Sequence, residues 1–253
     1  MTKDLGNFHL EVSGSEIRAG EIIGILGPNG IGKTTFINLI ANKIKTNEEI
    51  ENQTDLDKEE LRISLKPQYI KVEEDLLVSD IIQRIKIATH VMQSYKKRLI
   101  NTLELEYISE RMTSELSGGE LQRVAIAQCL LKDADIYLLD EPSAFLDVEK
   151  RLQVALLLRK SIEEIKKSAF VVEHDIITQD FIADSILVFK GTPGIRGEAL
   201  APQNLREGFN TFLKMMGITF RRDQATKRPR VNKLGSNKDD YQKRINEYYY
   251  VSD

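Results

Sequence analysis

The sequence predicts an α/β fold, with a mainly parallel sheet covered by helices and a helical subdomain inserted between two core strands. Three observations carry that expectation. Short β-type runs alternate with helix-period segments, the pattern of strand–helix–strand units. A glycine-rich turn, "GPNGIGKTT" (27–35), joins an apolar run to a helical one. The stretch from about 77 to 132 carries no strand signal and reads as consecutive helices.

Taken in order, "NFHLEV" (7–12), "EIIGIL" (21–26), "RISLKP" (62–67), "DIYLLD" (135–140), "AFVVEH" (169–174) and "SILVFK" (185–190) are the candidate strands. Several are continuous apolar runs, as strands buried on both faces are. After Lys33, residues Phe36, Ile37, Ile40 and Ile44 fall on one helical face. Residues 148–167 read as another long helix, and 46–61 as a solvated acidic loop.

Composition excludes several classes. The 253 residues suffice for one large domain with an extension, and 41% are apolar, enough for a packed core. A net charge of −3 imposes neither a nucleic-acid nor a membrane partner. Cys129 is the only cysteine, so a disulfide framework is excluded, and it reads as a core residue. No apolar run approaches the roughly 20 residues of a membrane span, and the N-terminus lacks the apolar stretch of a signal peptide. A cytoplasmic setting is expected.

Three motifs carry chemistry. In the first, Gly27, Gly32, Lys33 and Thr34 fill the spacing G-x-x-x-x-G-K-[ST] between a strand and a helix. The glycines let backbone N–H groups converge on phosphate oxygens beside a helix N-terminus. Lys33 then meets the β- and γ-phosphates, and the Thr34 hydroxyl holds Mg²⁺. The second, "IYLLDEP" (136–142), ends an apolar strand in two carboxylates. Asp140 is placed near the Mg²⁺ shell, and Glu141 can deprotonate an attacking water. The third, "LSGGELQR" (116–123), offers Ser117 and Glu120 as a capping box. Its two glycines disfavour a helix by roughly 1 kcal/mol each relative to alanine, which is reasonable where backbone must approach a ligand.

These motifs, with Gln68 in "LKPQ", "SAFLD" (143–147) and "VEH" ending at His174, occur in an order that resembles the ABC-type ATPase cassette from residue 7 to about 190. The resemblance implies a P-loop core with a small antiparallel β part, and ATP and Mg²⁺ as ligands. It implies two cassettes meeting head to tail with two ATP molecules between them. Gly27, Asn29, Gly30, Gly32, Lys33, Thr34 and Thr35 would hold the nucleotide, and Thr34, Gln68 and Asp140 the metal. Glu141 would be the base, with Gln68 sensing metal and water and His174 contacting the γ-phosphate. Ser117, Gly118 and Gly119 would serve the ATP of the partner cassette, and Asp147 would communicate across the seam. The family's adenine-stacking ring has Phe8 as its nearest candidate, in a β pattern that could instead turn it into the core.

Within that family, a coiled-coil repair ATPase is excluded because Lys33 and Ser117 are close in sequence and no heptads lie between them. "GPNGIGKTTF", "EPSAFLD" and the tail "GITFRRDQATKRPRVNKLGSNKDDYQKRINEYYYVSD" resemble the second cassette and C-terminal hinge of the twin-cassette ribosome-recycling ATPases, the RNase L inhibitor family (ABC subfamily E). Residues 1–215 are then the cassette and 216–253 the hinge. The chain is either an excised second cassette or one half of a protein encoded in two pieces. Its partners would be a second cassette and the small ribosomal subunit with its RNA, with termination or initiation factors and without a membrane. The alternative is the motor subunit of a membrane ABC transporter. Residues 221–244 hold nine Lys/Arg against three Asp/Glu. Such a basic segment is either a solvated end or a docking element. Arg221, Arg222, Arg228, Arg230 and the run Tyr248–Tyr250 favour docking on protein or ribosomal RNA.

Overall fold

A computed structural model describes the chain over residues 1–51, 61–72, 74–85, 93–222 and 229–250, with backbone only at 51, 222, 229 and 250. A nine-stranded sheet organises it. β1 (Thr2–Leu5) and β2 (Phe8–Val12) form an antiparallel pair. β3 (Ile22–Leu26) is buried at every position and feeds the glycine-rich turn that opens α1 (Lys33–Ile40). The expected acidic loop at 46–61 is partly helical: α2 (Asn47–Glu51) forms, and Glu48 accepts from the backbone N–H of Thr2 at 3.1 Å. Residues 52–60 of that loop lie outside the described residues.

β4 (Ile63–Lys66) leads into the region expected to be helical. There α3 (Val78–Arg84), α4 (Gln93–Thr102), two short 3₁₀ turns and α5 (Gly118–Leu131) follow one another among the described residues, with an isolated bridge from Leu77 to Met112. The capping box at α5 is present. Ser117 Oγ accepts from Glu120 N–H, and Glu120 Oε2 accepts from Ser117 N–H at 2.8 Å. Cys129 on α5 is buried, and burial pushes its thiol up to about 11.

β5 (Ile136–Asp140), α6 (Val148–Ile165), β6 (Ser168–Val172), α7 (Ile176–Ile182) and β7 (Ser185–Thr192) complete the parallel core, in the spatial order β7-β3-β6-β5-β4. The runs IIGIL, IYLLD and SAFVV are apolar without alternation because helices cover both faces of this sheet. β8 (Arg196–Ala199) returns antiparallel to β7 and joins it to β2, so the small antiparallel part is present too. β9 (Gln203–Asn204) is short, and α8 (Leu205–Met216) packs on β7. Among the described residues no helix is long and apolar enough to cross a membrane.

The C-terminal residues correct one expectation. β10 (Phe220–Arg222), β11 (Pro229–Val231), α9 (Asn237–Arg244) and β12 (Tyr249–Tyr250) fold into a three-stranded sheet with a helix. Tyr249, expected to dock on a partner, is buried in this chain. Its ring stacks on Phe209 of α8 at 4.8 Å, and its hydroxyl donates to Asp180 of α7. A buried polar network pins the unit: Thr219 Oγ1 donates to Asp239 Oδ1 at 2.6 Å, and Gln242 Nε2 donates to the Phe220 carbonyl at 3.0 Å. Arg228 lies outside the described residues.

Lys243, Thr219 and the Gly235 N–H hold the Asp239 carboxyl down, to about 2. A carboxylate whose folded pKa lies below its unfolded value stabilises the fold above the unfolded pKa, and that contribution disappears as pH falls through the folded one. Asp239→Asn should therefore weaken amide-exchange protection of residues 219–249 at neutral pH. The gap from wild type should close between about pH 4 and 2. A gap that does not change with pH would show that no ionised Asp239 supports the unit.

Candidate active site

The functional groups gather where the parallel strands end. β3, β6 and β5 are hydrogen-bonded neighbours, and their register aligns Ile25 with Val172 and Val172 with Asp140. The turn after Leu26, the pair Glu173–His174 and the pair Asp140–Glu141 therefore leave the sheet side by side. Such strand ends are where ligands bind in open α/β sheets.

The turn is built for close approach. Gly30 and Gly32 have φ of 74° and 95°, in the left-handed region that side chains disfavour. A Cβ on Gly32 would sit 2.9 Å from the ring of Phe8. Lys33 is buried, with Nζ donating to the carbonyls of Gly27 at 2.8 Å and Pro28 at 2.7 Å. Burial lowers its pKa, opposed by the charges of Glu141 and Asp140.

A cleft of about 450 Å³ lies over this turn. Asn29, Gly30, Gly32, Lys33, Thr34 and Thr35 line one side, and Gln68, Asp140, Glu141 and His174 the other. Thr34 Oγ1 donates to Asp140 Oδ2 at 3.0 Å. Glu141 Oε1 accepts from Gln68 Nε2 at 2.8 Å, and His174 Nε2 lies 2.8 Å from the same oxygen. The carboxylate is thus gripped by both residues expected to work with it. Phe8 lines the cleft while packing partly on the core, so both readings of its position describe the same ring.

Ser117, Gly118, Gly119 and Asp147 do not line the cleft. Gly118 and Gly119 pack instead against Phe145, two residues before Asp147, with a Cβ on Gly119 falling 3.0 Å from the Phe145 carbonyl oxygen. Asp147 caps α6, its Oδ1 accepting from Lys150 N–H at 2.9 Å. Phe145 is 74% exposed, so this second cluster faces outward.

Asp140 is suited to a cation. Burial raises its pKa, against the Thr34 hydrogen bond, and among the described residues its buried Oδ1 has no hydrogen-bond partner. One carboxylate and one hydroxyl beside a phosphate cradle are what Mg²⁺ uses when substrate phosphates and waters complete its shell. The residues present fit that ion.

Sequence reasoning missed four neighbours. Lys66 is buried, and Nζ donates to the carbonyls of Asp140 at 2.8 Å and Glu141 at 3.0 Å. Burial brings its pKa down to about 8. Glu173 is buried and accepts from Ser143 N–H and Oγ, both at 2.8 Å, while burial raises its pKa. Tyr69 joins Gln68 at the cleft, and Gly194 reaches it from the β7–β8 turn, donating to the Gly30 carbonyl at 2.9 Å. The available signal for Lys66 and Glu173 was a charge directly at the end of an apolar strand run, where burial demands a partner.

The family model described as ABC transporter matches residues 10–144. An uncharacterized ABC transporter ATP-binding protein of Methanocaldococcus jannaschii is 54% identical over 255 residues, which cover 100% of this chain and 41% of that protein. Translation initiation factor RLI1 of Saccharomyces cerevisiae is 39% identical over 251 residues, covering 99% and 40%. A crystal structure of archaeal ribosome recycling factor aABCE1 in complex with archaeal ribosomal stalk protein aP1 superposes with a TM-score of 0.90 at 49% identity, covering 99% of this chain and 47% of that one. The chain thus spans about two fifths of the length of these curated relatives.

Removing the Lys33 ammonium removes a charged hydrogen-bond donor from the cradle, a contact worth about 1.5–3 kcal/mol. Lys33→Ala should weaken ATP binding roughly ten- to a hundredfold, with the thermal midpoint little changed because the lysine is itself disfavoured by burial. Titration with a fluorescent ATP analogue beside a melting curve checks both; undiminished affinity would take Lys33 out of the cradle.

Proposed function

Because the chain belongs to the ABC ATP-binding cassette family, and within it to the E branch of RNase L inhibitor proteins, we propose that it is one cassette of a head-to-tail pair whose Mg-ATP hydrolysis drives the splitting of ribosomes into subunits. The carrying observation is the division of the site. The residues expected to hold phosphate, act as base and sense the γ-phosphate line the cleft, while Ser117–Gly119 lie outside that lining and are largely exposed, available to a second cassette.

In this reading Lys33 and the N–H groups of the 27–33 turn hold the β- and γ-phosphates. Phe8, whose ring lines the cleft, is an aromatic available to stack on adenine. Thr34, Asp140 and Gln68 would hold Mg²⁺, which would neutralise phosphate charge when bound. Glu141 takes a proton from the attacking water as the water oxygen bonds to the γ-phosphorus and the bond to ADP breaks. Gln68 and His174 orient the Glu141 carboxylate. The partner's equivalent of Ser117–Gly119 closes the cleft, excludes water and holds the γ-phosphate from the far side. Loss of that phosphate lets the pair reopen.

The ribosomal part rests on the relatives, named as a translation initiation factor and a recycling factor, and on the basic C-terminal segment. Lys233, Lys238 and Arg244 carry charge suited to ribosomal RNA or to the partner half. A cytoplasmic location goes with that role.

The isolated chain should bind Mg-ATP and hydrolyse it slowly, and the matching first cassette should raise turnover. Glu141→Gln should keep binding, nearly abolish hydrolysis and leave ATP trapped in a closed pair, because the amide cannot accept the proton. Full turnover by a verified monomer sinks the pairing. Co-sedimentation at two salt concentrations tests the ribosomal half. Binding to small subunits that weakens with salt is expected, and recovery with membranes instead would favour the transporter reading.

A further inference from the structure

We propose that Lys66 is a positioning residue for hydrolysis: it clamps the two carbonyls at the end of β5, and so turns the Glu141 carboxylate into the cleft. Successive residues of a strand point to opposite faces, yet Asp140 and Glu141 both line the same cleft. The alternation is broken because Glu141 has φ of 49°, in the left-handed region that a residue with a side chain disfavours. Something must hold it there.

Lys66 is placed to do so. β4 pairs in parallel with β5, Lys66 opposite Leu139, so its side chain runs along the end of β5. It is 1% exposed and does not line the cleft. Its ammonium donates to two consecutive carbonyls, those of Asp140 and Glu141. Consecutive carbonyls of an extended strand point in opposite directions and cannot share one donor; the turn at Glu141 brings them together. The Glu141 N–H donates to the Val172 carbonyl at 2.9 Å, so the peptide is held at both ends. A buried ammonium is unfavourable unless paired, and a methionine would fill the same space. The charge is retained where it fixes backbone.

This rests on the ATPase reading with Glu141 as base, and the test separates the two. In the complex of this chain with its partner cassette, single-turnover hydrolysis and ATP affinity are measured for wild type, Lys66→Met, Glu141→Gln and the double variant. Lys66→Met should lower the hydrolysis rate by roughly ten- to a hundredfold, the scale of a small misplacement of a reacting group, with ATP affinity unchanged. In the double variant it should cost nothing further, because Lys66 acts only through Glu141. An unchanged rate, lost ATP affinity, or an equal loss on the Glu141→Gln background each overturns the inference. If Lys66→Met does not fold, Lys66→Gln, whose amide falls one atom short of the carbonyls, is read by the same criteria. Wild-type hydrolysis by Glu141→Gln overturns the base assignment itself, whatever Lys66 does.

Discussion

The hydrogen-bonded register of β3, β6 and β5 is the constraint from which the site follows. Side chains far apart in the chain, Lys33, Asp140 and His174 among them, meet because three buried strands end at one level. A one-residue slip of β5 would send Asp140 to the other face of the sheet and remove the partner of Thr34. The apolar packing on both faces makes that slip costly, since Leu138 and Leu139 belong to different core clusters on opposite sides.

Burial of charge is the second organising feature. Lys33, Lys66, Asp140 and Glu173 lie together behind or within the cleft, and all are buried. Two cations and two anions offset one another, so each remains usable without bulk water. Their hydrogen bonds go mostly to backbone: carbonyls of the 27–28 and 140–141 turns, and the Ser143 N–H. Charge is here a means of fixing loop conformation. The segment from Glu141 to Asp147 shows it best, with Lys66 gripping one end and Glu173 the middle. Through Glu173 the histidine strand is tied to the turn that presents Phe145, which gives the cleft and the outward-facing cluster a common support.

The C-terminal residues extend this core. Tyr249 stacks on both Phe209 of α8 and Phe220 of β10, so the small three-stranded sheet is joined to the cassette through α8. The basic residues of α9 are thereby held at a fixed place on the surface.

Much of this was legible in the sequence. The strand-to-helix glycine turn, the apolar strand ending in two carboxylates and the capping box at Ser117 are local patterns, and local patterns are set by backbone geometry and side-chain chemistry within a few residues. The helical stretch after residue 77 was legible for the same reason. What the sequence left open is long-range. The acidic residues at 47–51 form a helix because Asn47 and Glu48 find β1. Tyr249 is buried because α8 offers Phe209. Lys66 and Glu173 matter because strand pairing sets them beside the turn at 140–143. Asp147, read from its motif as a partner contact, also caps a helix. None of these pairings has a period or a motif. Each depends on which strand lies next to which, and the packing of the whole core decides that.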